Sequence, residues 1–235
     1  MSRNITIYQP WGGLGDNLAH SLIPRLCFER GDICQLSKHN VCRNQDIYNV
    51  VWKQNPYIRL TGSESVDMKW LDRCKLFENQ GLSHVQVIQR VYGFDTCYEY
   101  PEIYYTPRYL PEYDGKHLTD FNSISVSYDG CDVWNVIGGG SDTLEVTHSL
   151  LDNKRYARPT TGNTIDINSL EFYCDVLRSC SSIVTLNSGI ANLAPVIKNK
   201  YNPKLQIYVL TYKKYLKEYG SNGYFYSNVK YITVD

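Results

Sequence analysis

The chain reads as an α/β protein of two Rossmann-like lobes, each a parallel sheet with crossover helices, the two sheets facing a central cleft. Three observations predict this. A short β-type run, a glycine turn and an amphipathic helix follow one another twice, at residues 5–30 and 183–198. Strand and helix patterns alternate along the first half, as the crossovers of parallel pairing require. The chain has 235 residues, 43% hydrophobic and 20% charged; that length suffices for two α/β lobes of roughly 100–120 residues each.

The elements follow in order. Ile5-Thr6-Ile7-Tyr8 is the first strand. Trp11-Gly12-Gly13-Leu14-Gly15-Asp16 turns the chain, and Leu18, Leu22, Ile23 and Leu26 recur at helical spacing to about residue 30, as one helix stopped by Gly31. Ile33–Leu36 is a second strand, Ile47–Trp52 a short helix ended by Asn55-Pro56, and 82–93 a helix with Val85, Ile88 and Val91 on one face. Residues 99–121, with Pro101, Pro107, Pro111 and Gly115, read as the connection between lobes. The expected division is into two lobes, 1–110 and 111–235. Ile124–Ser127 restarts a strand, and 129–163 is the least readable stretch. Asn168 with Glu171 resembles a capping box for a helix carrying Leu170, Tyr173, Cys174 and Leu177. Ile183–Leu186 is a buried strand, Asn187-Ser188-Gly189 turns into a helix to about Ile197, and Leu205–Leu210 and Val229–Val234 are the last strands.

Composition narrows the function. Lys and Arg together number 24, as do Asp and Glu, so bulk charge does not favour nucleic acid. No apolar segment is long enough to span a membrane, and none follows the first Met. The expected location is cytoplasmic (host cytoplasm, should the chain be viral), with peripheral attachment to a membrane left open. The eight cysteines form no C-x-x-C pair, so zinc is disfavoured, and Cys27, Cys174 and Cys180 read as reduced core thiols.

Several chemistries drop out on missing motifs. Leu18 stands where a dinucleotide fingerprint needs its third glycine. There is no P-loop, no G-x-S-x-G elbow and no Asp-x-Asp to hold a metal on a sugar diphosphate. Two turns remain. Asp16 at a helix start is either a helix cap or a base able to take a proton from an attacking hydroxyl. Ser188-Gly189 is either a cap or a phosphate site made of a hydroxyl, close backbone and helix N–H groups. Gly138-Gly139-Gly140 is a further phosphate-loop candidate, more often a turn. His20, one helical turn past Asp16, either lines the same cleft or is an exposed helix histidine.

Gly12-Gly13-Leu14-Gly15-Asp16 with its helix resembles the N-terminal signature of the heptosyltransferase-like glycosyltransferases, family 9, of GT-B fold. Ser169–Ile197 resembles that family's C-terminal segment, in which Asp-Ser-Gly or Asp-Thr-Gly precedes a helix. Asn55-Pro56 and Pro101-Glu102-Ile103-Tyr104 also sit where the family has an Asn-Pro turn and the end of its first lobe. The resemblance implies a metal-independent, inverting transfer from a nucleotide-sugar co-substrate, with Asp16 as general base. It implies donor binding by Asn187, Ser188 and Gly189 with a basic residue, for which Arg158, Lys154 and Arg155 are candidates. Gly12, Gly13, Gly15 and His20 would line the acceptor side. The acceptor would be a glycan, a lipid-linked sugar or a protein, with DNA less favoured. Two departures stand out: Asn187 replaces the family's acid, and Asn192 its histidine. The chain is also shorter than is usual for the family, with the loss falling in 129–163. These departures keep open a non-catalytic nucleotide- or sugar-binding module, and more weakly a sugar-nucleotide hydrolase or epimerase.

Overall fold

The computed structural model describes residues 2–63, 73–75, 81–95, 98–122, 142–149, 163–212 and 225–234. The chain divides into two compact units, 1–105 with 219–226, and 106–218 with 227–235.

The first unit is built on a parallel sheet of β1 (Asn4–Ile7), β2 (Ile33–Ser37) and β3 (Ile58–Ser63), in that order. Ile5 pairs with Cys34 and Ile7 with Leu36. The expected single helix to residue 30 is two, α1 (Leu14–His20) and α2 (Ile23–Arg30). Pro24 explains the break, since it has no N–H to give the His20 carbonyl and its ring crowds that carbonyl. Ser21 closes α1 by donating both its N–H and its hydroxyl to the Leu18 carbonyl. Gly31 ends α2 at φ +81°, a left-handed position where a side chain is strained. α3 (Gln45–Tyr48) runs on into a π-helical turn, Asn49–Lys53, which buries Val50, Val51 and Trp52. α4 (His84–Val91) starts on a capping box of Ser83 and Gln86 and buries Val85, Val87, Ile88 and Val91. A short 3₁₀ turn, Pro111–Tyr113, precedes the second sheet.

The second unit holds a six-stranded, all-parallel sheet in the order β6-β5-β4-β7-β8-β9. Its strands are β4 (His117–Asp120), β5 (Thr143–His148), β6 (Thr164–Ile167), β7 (Ser182–Leu186), β8 (Gln206–Tyr212) and β9 (Lys230–Val234). Every residue of β7 is buried, as a central parallel strand requires. α5 (Leu170–Ser179) and α6 (Gly189–Lys200) pack on each other. The cap of α5 is Ser169, one residue later than the expected Asn168: its extended backbone lets the hydroxyl accept from the Phe172 N–H at 3.1 Å. Glu171 is then the second helical residue and cannot complete a capping box. The expected strand 124–127 and the Gly138–Gly140 turn lie outside the described residues. β4 falls inside the stretch expected to be a connection, and β5 inside the unreadable one. Cys27, Cys174 and Cys180 are buried free thiols, as expected, and Cys34 is another.

Candidate active site

In the first unit the chain leaves the C-terminal end of β1 through the glycine turn. Gly12 is at φ +74°, and a Cβ there would stand 2.9 Å from Val41 Cγ1 and 3.2 Å from the Arg43 nitrogen. That closeness arises because the loop after β2 is tied to the turn: Arg43 N–H donates to Gly12 O at 2.9 Å and Val41 N–H to Gln9 O at 2.9 Å. Side-chain amides do the rest. Gln9 Oε1 accepts from Gly12 N–H at 3.0 Å, and Asn40 Oδ1 from Gln9 N–H at 2.9 Å. Asn17 is the hub, fully buried. It donates to Gly13 O (2.9 Å) and Val41 O (3.2 Å) and accepts from the Trp52 indole at 2.7 Å.

That scaffold presents Asp16. It is the third residue of α1, half-buried, with its carboxylate folded back over Gly13: a Cβ on Gly13 would meet Asp16 Oδ2 at 2.4 Å. The position suits both the cap and the base role. Gly15, in the same first turn, is partly exposed. His20 is not the exposed residue that its helix position suggested. It is 1% exposed, its Nδ1 lies 3.0 Å from the Asp16 carbonyl, and its ring meets Tyr92 edge-on beyond α4. Burial drives its pKa down to about 4, against a smaller upward pull from the Asp16 carbonyl.

In the second unit the candidate site is at the C-terminal edge of the sheet, where β7 passes through Asn187-Ser188-Gly189 into α6. Asn187 N–H donates to Leu210 O, which ties the turn to β8. Ser188 is the N-cap residue, but its side chain makes no cap hydrogen bond, and its Oγ is a buried atom with no partner among the described residues. The capping reading of the Ser188 hydroxyl is therefore not realised. Asn192 braces the turn instead, its Nδ2 donating to Ser188 O at 3.1 Å. Gly189 opens the 12-residue α6, whose first N–H groups point out of this edge. Arg158, Lys154 and Arg155 lie outside the described residues.

The edge also carries residues that sequence reasoning missed. Asp120, at the end of β4, pairs in register with Thr185 of β7 and is fully buried. Its Oδ2 accepts from Tyr173 Oη at 2.6 Å and lies 3.0 Å from His148 Nε2. Its Oδ1 accepts from the Asn122 N–H and Nδ2 at 3.0 and 2.9 Å. Burial pushes this carboxyl up, but His148, Tyr173 and Asn122 outweigh it and hold the group below its ordinary value. The one available signal was the Leu144-Val146-His148 alternation, which sets His148 on the apolar face of β5. Among the described residues no group of three His, Cys, Asp or Glu is placed to hold a metal ion.

No protein-family model matches the chain, and no curated protein sequence matches it. Solved structures do. The dodecameric iron-containing heptosyltransferase TibC, in complex with ADP-D-beta-D-heptose, aligns at TM-score 0.58 and 12% identity over 89% of this chain and 58% of its own. TibC from enterotoxigenic E. coli aligns at 0.57 and 13% over 89% and 59%. A glycosyl transferase family 9 protein from Veillonella parvula aligns at 0.58 and 9% over 99% and 85%. The chain thus spans somewhat under three fifths of TibC and most of the Veillonella protein. What is shared is the fold: a mixed α/β architecture of parallel sheets, as in family 9 glycosyltransferases. This is the class that the Gly12–Asp16 and Ser188-Gly189 motifs anticipated.

Proposed function

We propose that the protein is a glycosyltransferase that moves a sugar from a nucleotide-sugar donor to an acceptor hydroxyl. The observation that carries this reading is the edge of the second unit, where the α6 N-terminus opens beside a Ser188 hydroxyl spent on no cap. Helix N–H groups and a free hydroxyl suit a diphosphate. The fold is also that of proteins whose names record sugar transfer and an ADP-sugar.

In the proposed reaction the acceptor hydroxyl gives its proton to the Asp16 carboxylate as its oxygen attacks the anomeric carbon. The bond from that carbon to the diphosphate oxygen breaks on the opposite side, which inverts the centre. The charge on the departing nucleoside diphosphate falls on the α6 N–H groups and Ser188. With the leaving group held this way, no metal is required. The acceptor class is a glycan, a lipid-linked sugar or a protein; the balanced charge of the chain argues against DNA. We place the reaction in the cytoplasm; no helix among the described residues is long and apolar enough to cross a membrane.

A second reading, a nucleotide- or sugar-binding module without turnover, draws on Asn192. Where the family has a histidine, this amide is spent on the Ser188 carbonyl. One experiment separates the two. Thermal unfolding against a panel of metal-free nucleotides and nucleotide sugars identifies the donor, since a ligand at a hundred times its Kd adds about 2.7 kcal/mol. Asp16→Asn is then assayed with that donor. A transferase loses turnover and keeps donor affinity, whereas a binding module has no turnover to lose. No stabilisation by any member of the panel contradicts both.

A further inference from the structure

The second sheet reverses its winding between β4 and β7. From β4 the chain proceeds to β5 and then β6 on one side; from β7 it proceeds through α6 to β8 on the other. Neighbouring strands whose connections depart in opposite directions open a crevice at their C-terminal ends, the general ligand position of such sheets. Ser188 follows β7 at that crevice. Asp120 ends β4 at the same place, paired with Thr185, and His148 ends β5 beside it.

A buried carboxylate at this point is costly unless every lone pair is used. Here they are used: Tyr173, His148 and two Asn122 donors converge on Asp120. The arrangement takes up the Nε2 side of His148 and sets its ring plane, with Tyr173 packed at a centroid distance of 5.6 Å. Asn122 Nδ2 also donates to Val146 O at 2.9 Å, pinning the start of the next connection to β5. With Nε2 committed to Asp120, Nδ1 is the nitrogen that can meet a ligand. An imidazole held by a buried acid at a sheet's switch point is an arrangement for presenting an N–H in one direction.

We infer that His148, oriented by Asp120, is a hydrogen-bonding contact to the donor's diphosphate; this rests on the donor assignment made above. In the bound state one ring nitrogen meets Asp120 and the other a phosphate oxygen. His148 is the binding residue, and Asp120 a positioning residue that acts through it. His148 would make from β5 the diphosphate contact for which Arg158, Lys154 and Arg155 were the expected candidates.

The test uses the full chain and whichever nucleoside diphosphate stabilises it most. Calorimetric Kd values are measured for that diphosphate and for its parent nucleoside, on wild type, His148→Gln and Tyr173→Phe. His148→Gln is expected to weaken the diphosphate about tenfold or more, the worth of one charged hydrogen bond, and the nucleoside less than about twofold. Tyr173→Phe is expected to lower Tm and leave both affinities within about twofold, because Asp120 still holds His148. Equal weakening of both ligands by His148→Gln, or of neither, overturns the inference. Should that variant not fold, the histidine-ring ¹⁵N spectrum of the wild type decides: added inorganic pyrophosphate must shift His148 Nδ1, and an unmoved resonance overturns the assignment. If the wild type binds no nucleoside diphosphate, the donor assignment itself is wrong and this inference falls with it.

Discussion

The same strand–turn–helix unit occurs in both halves of the chain and is finished in two different ways. In the first unit the turn is closed by neutral amides. Gln9, Asn17 and Asn40 satisfy its backbone, Val41 and Arg43 seal Gly12, and what emerges is one carboxylate on a rigid frame. In the second unit the turn is left open. Ser188 does not cap its helix, and a polar cluster at the same sheet edge is built around the buried Asp120 of the neighbouring strand. A closed turn positions a side chain, whereas an open one offers backbone and hydroxyl to a ligand. Local sequence is nearly the same in kind at the two places; the difference lies in what the next strands bring to the edge.

That contrast can be broken by substitution. The largest expected effect is in the first unit. Asp16→Asn should lower kcat by about 10²–10⁴-fold, the usual worth of a general base, and leave the donor Kd within about twofold. A steady-state assay with the identified donor checks it. In the second unit the largest effect is on stability. Asp120→Ala strands His148 and Tyr173 in the interior and should cost about 3–5 kcal/mol by denaturant titration, as loss of one partner of a buried pair does.

The next effect is acid sensitivity of the first unit. His20 has its folded pKa near 4, while the unfolded chain titrates near 6.5. The unfolded state therefore takes the proton first. Stability from this group is complete above about pH 6.5, falls as pH drops towards 4 by an amount on the order of 3 kcal/mol, and levels off below. Tm measured from pH 8 to pH 4 should show this limb; His84, held near 4 by its burial and by His20, adds one of its own, so His20→Gln should shrink the limb and leave the part due to His84. Gly12→Ala should cost about 1–3 kcal/mol, from its left-handed backbone and the contact with Val41.

The smallest effects discriminate most finely. Ser169→Ala removes a real cap and should cost about 1 kcal/mol with no change in ligand affinity. Ser188→Ala removes a hydroxyl that caps nothing. It should change stability by less than about 0.5 kcal/mol and weaken the nucleoside diphosphate several-fold, roughly one neutral hydrogen bond. Paired melting and calorimetry on the two variants measure both quantities.

Much of the architecture was legible from residues alone. Gly12, Gly31 and Gly93 stop or turn the chain at positive φ, and the apolar run of β7 marked a central strand. The break at Pro24 was written in the sequence but masked by the apolar spacing that continues across it. β4 was not legible because His-Leu-Thr-Asp buries a polar pair and alternates nothing. The Asp16 and Ser188 positions were readable because each sits in a local motif. Asp120 was not: beyond the adjacent Asn122, its partners His148 and Tyr173 lie 28 and 53 residues away, and only the fold brings them together. The cap of α5 turned on a one-residue difference in backbone conformation, which composition does not reveal.

The central claim is that a nucleotide-sugar diphosphate sits at the start of α6. Amide hydrogen exchange of the full chain, with and without the nucleotide sugar that raises Tm most, tests it directly. A diphosphate bound there slows exchange across residues 188–192 and at Asn122, the amides of the β7 and β4 edges. Unchanged exchange there in the ligand-saturated protein would contradict it.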